Sequence, residues 1–296
     1  MKILLGISIS SKNLKFLNRF LNSLQELEIP SSYNVKFVFI IEKKNFIYSN
    51  MIKRKFFKEK IQILLTKKRG IPQSRNLFLR YIRSNNSKYS GFLDDDCIIS
   101  KQWLKNMIKF IKKTDTDIVG GPQFHLVRNN FYLSLFELIE PNRNHGQEVD
   151  WVATNNSFFK SIILKKNNIV FDEKMKNIGG SDQLFFKNLN RIQFKCKWNL
   201  ESPVIENIQT DRENIQWFLK RNLRYGYSGN YIDKKIYGPK LGTVINFLKL
   251  GYLLIVSIIF FLLIIRKKNY FKSIFYLCRS AGRFMGFINY IPKKYI

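Results

Sequence analysis

Positions 3–9 are apolar almost without a break, ending in Ile7-Ser8-Ile9, which predicts a strand over 3–10 covered on both faces. A secretory leader needs a longer apolar core and a small-residue cleavage site, and Lys12 closes this run too early. Leu14, Leu17, Leu21 and Leu24 then recur at three- and four-residue spacing, the mark of a helix over 13–27. Further strands are expected at 35–42, 61–65 and 89–93, and a short helix at 74–83 after the Gly70-Ile71-Pro72 turn. Ser100 reads as the N-cap of a helix reaching Lys112. This alternation predicts an α/β fold, a mostly parallel sheet with helices on both faces.

Beyond residue 115 the alternation loosens. Strands are expected at 117–119, 151–159 and 194–198 and a helix at 182–190, while Thr210-Asp211-Arg212-Glu213 fits a capping box for a helix through Arg224. The first half thus reads as a nucleotide-type α/β unit and the second as an attached substrate-binding half.

Residues 241–265 change character, being apolar except for Asn246, Lys249 and small or hydroxyl residues. About 20 apolar residues in a helix suffice for a bilayer core. Lys234, Lys235 and Lys240 precede the segment and Arg266, Lys267 and Lys268 follow it, so charge does not orient it. Residues 270–291 mix aromatics with Lys272, Arg279 and Arg283, as an interfacial helix does. A spanning helix and an interfacial anchor both fit. The chain divides on this reading into a catalytic domain over 1–235 and a membrane-associated helical tail over 236–296.

Composition narrows the function. Fifty-one Lys and Arg against 21 Asp and Glu give a net charge of +30, which attracts nucleic acid, acidic lipid or phosphorylated small molecules. A bias toward Lys, Asn, Ile and Phe along the whole chain explains the excess equally well. Cys97, Cys196 and Cys278 are odd in number and far apart, which argues for a reducing compartment. Two histidines and no CxxC pair exclude a multi-histidine or cysteine-pair zinc site. Carboxylates and cations must carry any catalysis.

The acidic cluster Asp94-Asp95-Asp96 follows the apolar strand residues Phe92-Leu93 directly. Ligands of open α/β sheets bind beyond the carboxyl ends of strands. Asp94 and Asp96 fall on one side of an extended chain and suit a hard divalent ion, Mg²⁺ or Mn²⁺. The bland alternative is a solvated acidic turn, or Asp96 acting as a helix cap, but the hydrophobic strand directly before the cluster in so basic a chain favours function. In Gly179-Gly180-Ser181-Asp182, the carboxylate of Asp182 suits a general base toward a hydroxyl, although Ser181 or Asp182 would also serve as a plain N-cap. Arg221 and Arg224 lie three apart on a helix and match phosphate oxygens, or else form a solvated basic face. The turn with Arg69 and Arg75 is a further basic element able to meet a phosphate.

The order of these motifs, acidic cluster, Gly-Gly-x-Asp, basic helix, membrane segment, resembles the inverting family 2 glycosyltransferases of the GT-A fold. The nearest flavour is the bacterial membrane-associated type that builds exopolysaccharide repeat units such as succinoglycan. The resemblance implies that Asp94 and Asp96 hold the metal and nucleotide sugar and that Asp182 is the catalytic base. It places Arg221 and Arg224 near the leaving diphosphate, Ser10 and Glu42 at the nucleotide, and Trp151 and Asn155 on the acceptor side. It implies a nucleotide-sugar donor, a UDP-sugar, and a glycan or polyprenyl-linked acceptor at the cytoplasmic membrane face. The chain departs from the family at Ser10-Ser11-Lys12-Asn13, at Ser181, at Tyr225 and at Glu206-Asn207, where many relatives have a metal-binding His.

Rival readings are a nucleic-acid-binding basic protein, a nucleotidyl- or phosphoryl-transferring enzyme and a catalytically inactive membrane-tethered scaffold. The basic residues are spread along the chain without a nucleic-acid-binding motif, so no nucleic acid partner is expected. The absence of a P-loop disfavours the commonest phosphoryl-transfer enzyme.

Overall fold

The computed structural model describes residues 1–10, 13–263 and 267–288. Ser11 and Lys12 of the first-strand signature, the end of the apolar segment with Arg266, and positions 289–291 of the amphipathic stretch lie outside the described residues. In chain order the elements are β1 (Lys2–Ile9), α1 (Leu14–Gln25), β2 (Asn34–Glu42), α2 (Ile47–Lys55), β3 (Ile61–Thr66), α3 (Ile71–Arg83) and β4 (Tyr89–Asp94). Then follow β5 (Cys97–Ile99), α4 (Trp103–Lys113), β6 (Ile118–Gly120), β7 (Gln123–Leu126), α5 (Asn130–Ile139), β8 (Asn156–Lys160) and α6 (Ile162–Lys165). The last are α7 (Ser181–Arg191), β9 (Cys196–Trp198), β10 (Val204–Asn207), α8 (Ile215–Tyr237), α9 (Pro239–Leu262) and α10 (Lys267–Phe287).

These elements form two compact units, one of Met1–Leu126, Asn142–Glu173 and Phe185–Asn207, the other of Val127–Pro141, Lys174–Leu184 and Ile208–Ile296. The first is built on a seven-stranded sheet of order β3-β2-β1-β4-β8-β6-β9. β3, β2, β1 and β4 run parallel, and β8 is antiparallel to both its neighbours. One face packs Leu17, Phe20, Trp103 and Met107 of α1 and α4. The other packs Phe78 and Leu79 of α3, Ile163 of α6 and Phe185 and Phe186 of α7. β1 serves both, with Ile3, Leu5 and Ile7 on one side and Leu4 on the other, which is why it reads as an unbroken apolar run.

Gly6 lets α3 approach this strand closely: a Cβ there would fall 2.3 Å from the ring of the fully buried Phe78. Gly6→Ala is expected to cost about 1–3 kcal/mol by overpacking, read as a lowered unfolding midpoint of the full chain.

Several boundaries differ from those the sequence predicts. α3 starts at Ile71, because Pro72 fits the first helical turn and Gly70 enters it at φ 134°. Ser100 does not cap α4; Gln102 holds that position without a side-chain bond. The strand expected from 151 shortens to β8, because the Asn156 amide closes a turn on the Ala153 carbonyl (3.3 Å). The capping box is not formed. Thr210–Arg212 make one 3₁₀ turn, Glu213 accepts the Arg128 amide (3.1 Å), and Asn214 caps α8 by accepting the Trp217 amide (2.8 Å). α8 then runs past Arg224 to Tyr237. A second sheet, β5-β10-β7, was not expected from the sequence.

In the second unit Phe136 of α5, Phe218 of α8 and Phe275 of α10 form one cluster. α8 and α10 lie close at glycines: a Cβ on Gly226 would sit 2.0 Å from the Arg279 carbonyl oxygen, and one on Gly282 1.9 Å from that of Leu223.

Candidate active site

The parallel register puts Ser8 beside Asp94 and Ile9 beside Ile41, so β1, β2 and β4 deliver Ser10, Glu42 and the aspartates to the same end of the sheet. The chain leaves β1 toward β2 on one side while β4 lies on the other. Such a switch point opens a crevice at the carboxyl ends of the strands.

The three aspartates have different tasks. Asp95, 1% exposed, accepts the Ser10 amide (2.8 Å) and hydroxyl (3.4 Å), tying the exit of β1 to that of β4. Asp94 and Asp96 remain half-buried. Arg75, buried on α3 with its guanidinium over the Phe171 ring (5.7 Å), stands 3.5 Å from Asp94. The backbone carbonyl of Asp96 accepts from both the amide and the side chain of Asn207 (2.8 Å each), and Arg19 donates to the Asn207 side chain (3.0 Å). Asp96 is therefore positioned through its backbone, and its carboxylate accepts from the Cys97 thiol (3.9 Å). Glu42 pairs with Lys44 (3.2 Å).

β10 pairs Glu206 with Cys97 on one side and His125 on the other. Glu206 accepts from Gln123 and lies 3.6 Å from His125 Nε2, and Asn155 donates to Gln123. The buried Oδ1 of Asn155 has no hydrogen-bond partner among the described residues. Sequence reasoning singled out Asn155 and Glu206 separately and left His125 and Gln123 unassigned. The β7–β10 pairing that joins them is carried by strands of four residues, too short for a periodic signal.

The acidic surroundings are felt at Cys97. Burial first, then Asp96, Glu206, Asp94 and Asp95, push its thiol well above the ordinary range, and burial pushes Cys196 up to about 12. The thiolate is the reactive form. Both cysteines are therefore expected to resist maleimide at pH 8 in the folded chain and to react after denaturation, as mass spectrometry of labelled peptides would show.

In the second unit Gly179 (φ 74°) and Gly180 (φ 77°) both occupy the left-handed region, which non-glycine residues avoid. They turn the chain into α7, whose first turn carries half-buried Asp182 accepting the Gln183 amide (2.9 Å). A helix N-terminus favours a carboxylate there. The turn packs on α8: a Cβ on Gly179 would sit 3.3 Å from the Arg224 guanidinium, and one on Gly180 3.4 Å from Ser228. Arg221 faces other groups, donating to the Tyr225 hydroxyl (2.6 Å) with its guanidinium over Trp217 (4.8 Å) and Phe136 (5.8 Å). Trp151 lies under Arg143 (5.1 Å), which also covers Trp198 (4.6 Å).

The donor chemistry fits a hard divalent ion only in company. Among the described residues no group of three or more His, Cys, Asp or Glu side chains could hold a metal alone. Asp94 and Asp96 supply carboxylate oxygens, and Mg²⁺ commonly completes its shell with substrate phosphates and water.

A model of the "Glycosyl transferase family 2" domain matches residues 10–170, more than half of the 296-residue chain. No curated protein matches the chain significantly. Among solved structures it is similar to S. aureus TarS 1–349 (16% identity, TM-score 0.55), covering 76% of this chain and 65% of that one. Against S. aureus TarS 1–349 in complex with UDP-GlcNAc the identity is 12% and the TM-score 0.60, over 98% of this chain and 92% of that one. GalNAc-T7 with UDP, GalNAc and Mn²⁺ gives 12% and 0.54, over 70% of this chain and 43% of that one. At these identities the likeness is one of fold, of the GT-A type. With the family domain running from the exit of β1 through the aspartates and β8, the chain belongs to glycosyl transferase family 2 and is a glycosyltransferase.

Proposed function

We propose that the protein transfers a sugar, with inversion, from a UDP-sugar to a hydroxyl of a glycan acceptor on a polyprenyl lipid. The setting is synthesis of a surface polysaccharide repeat unit, of the succinoglycan type, at the cytoplasmic membrane face. Residues 1–235 carry the chemistry and 236–296 hold it at the membrane. The observation that carries the reading is the division of labour among the aspartates within a family 2 domain: Asp95 is spent on the fold, while Asp94 and Asp96 remain half-buried at the switch point.

Ser10 and Glu42 contact the nucleoside, and Arg75 fixes Asp94. Asp94 and Asp96 would hold Mg²⁺ or Mn²⁺ together with the donor diphosphate, where the ion neutralises the phosphate charge as a Lewis acid. Arg224, with Arg221, stabilises the negative charge that grows on the departing diphosphate. Asp182 takes the proton of the acceptor hydroxyl. That oxygen bonds to the anomeric carbon as the bond to the diphosphate oxygen breaks, and UDP leaves with the electron pair. One displacement with one base inverts the anomeric centre and needs no glycosyl-enzyme, unlike the retaining two-carboxylate route. Trp151 and Asn155 face the acceptor.

A panel of nucleotide sugars offered to the purified chain with a lipid extract as acceptor tests this. UDP release from one UDP-sugar, dependent on Mg²⁺ or Mn²⁺ and on acceptor, is expected. Release from no nucleotide sugar under any of these conditions would refute it.

A further inference from the structure

α9 is built inside out. Its buried residues are Gly242, Asn246 and Ser257, whereas Leu241, Val244, Phe247, Leu248, Ile255 and Ile258 are exposed. A helix facing water shows the opposite polarity; hydrocarbon selects this one, with polar groups paired inward. By length and composition alone the helix is long and apolar enough to cross a bilayer. On α10 Leu277 and Phe284 are exposed as well, as is Ile288 just past its end.

The charges of these helices are turned inward. Lys249, near the middle of α9, makes two 2.9 Å bonds to Asp233 of α8. Arg283 of α10 donates to Asp233 (2.9 Å) and to Asn246. Ser257 and Ser273 donate to each other's carbonyls (2.8 and 2.9 Å), fixing α9 against α10.

α8 decides how the pair meets lipid. It accompanies α10 along its length: Phe218 stacks on Phe275, Asn222 accepts from Arg279, Asn230 donates to the Arg283 carbonyl, and Lys234 donates to that of Gly286. α8 also carries Lys220, Arg221, Arg224 and Lys235 and packs against the Gly179-Gly180 turn. An upright hairpin would draw this charged helix through the hydrocarbon, where each such side chain is costly. With α9 lying flat, its outer face enters lipid while α8 stays in water, and the exposed Lys235, Lys240 and Lys268 meet anionic headgroups.

We infer that α9 and the outer stripe of α10 lie in the plane of an anionic bilayer, sunk to the headgroup–acyl boundary, and do not span it. This rests on the membrane part of the reading above and is independent of the sugar chemistry. The test uses the full chain, expressed in a bacterial host with Cys278→Ser as background. The exposed Lys240 at the start of α9 and the exposed Lys268 in the first turn of α10 are probed by Lys240→Cys and Lys268→Cys, each labelled with a membrane-impermeant maleimide in spheroplasts and in inverted vesicles. Both positions are expected to label from the same side, and the chain to float with phosphatidylcholine vesicles containing phosphatidylglycerol. Labelling from opposite sides would overturn the in-plane placement. Failure of the unsubstituted chain to float with these vesicles would overturn the lipid-facing assignment of α9. Neither result depends on sugar transfer, so failure here is separable from failure of the proposed activity.

Discussion

Asp182→Asn is expected to lower sugar transfer by about 10²–10⁴-fold, the usual contribution of a positioned general base. The substitution keeps size and shape, and the asparagine carbonyl can still accept the Gln183 amide that Asp182 accepts at 2.9 Å. The left-handed Gly179-Gly180 turn is untouched, as is its packing on α8. On the proposed assignment only the proton acceptor is lost. UDP binding, measured by calorimetry, is therefore expected to stay within about twofold, since a base meets the acceptor and contributes nothing to the nucleotide. Full transfer activity in this variant would remove Asp182 from the role of base.

The second large effect separates adjacent aspartates. Asp96→Ala is expected to reduce transfer by about 10²–10³-fold, as loss of electrostatic stabilisation at a departing group does. UDP affinity in the presence of Mg²⁺ falls with it, while the unfolding midpoint is retained. The reason is local: Asn207 is held by the Asp96 carbonyl, which the substitution leaves in place. Asp95→Ala is expected to do the opposite. It strands the Ser10 amide at the β1 exit and costs about 1–3 kcal/mol of stability. Equal stability losses in the two variants would contradict the assignment of Asp95 to the fold and Asp96 to the chemistry.

Much of the architecture was legible where burial is regular. β1 and β2 are covered on both faces and announce themselves as apolar runs, and α1 shows one leucine face. The aspartates were legible because an acidic cluster after such a strand is anomalous in a chain of net charge +30. Their unequal roles were not. Spacing cannot tell that Asp95 turns inward to Ser10, because that depends on where β1 ends beside β4. The Gly-Gly turn was legible from composition, and its cause proved to be backbone conformation, with two successive left-handed residues. The helix through Arg224 starts at Ile215, because Asn214, not the Thr210 box, supplies its cap, and it ends thirteen residues later than the sequence reading placed it, at Tyr237, where Gly238 turns out at φ 81°. The group around Glu206 escaped notice for a similar reason, as long-range pairing of short strands assembles it.

The central claim is a single displacement at the anomeric carbon, driven by one base opposite a neutralised diphosphate. Its most direct measurement is the anomeric configuration of the product formed by the purified full chain from an α-linked UDP-sugar, read from the anomeric proton coupling in NMR. A β-linked glycoside is predicted; an α-linked product would contradict the account.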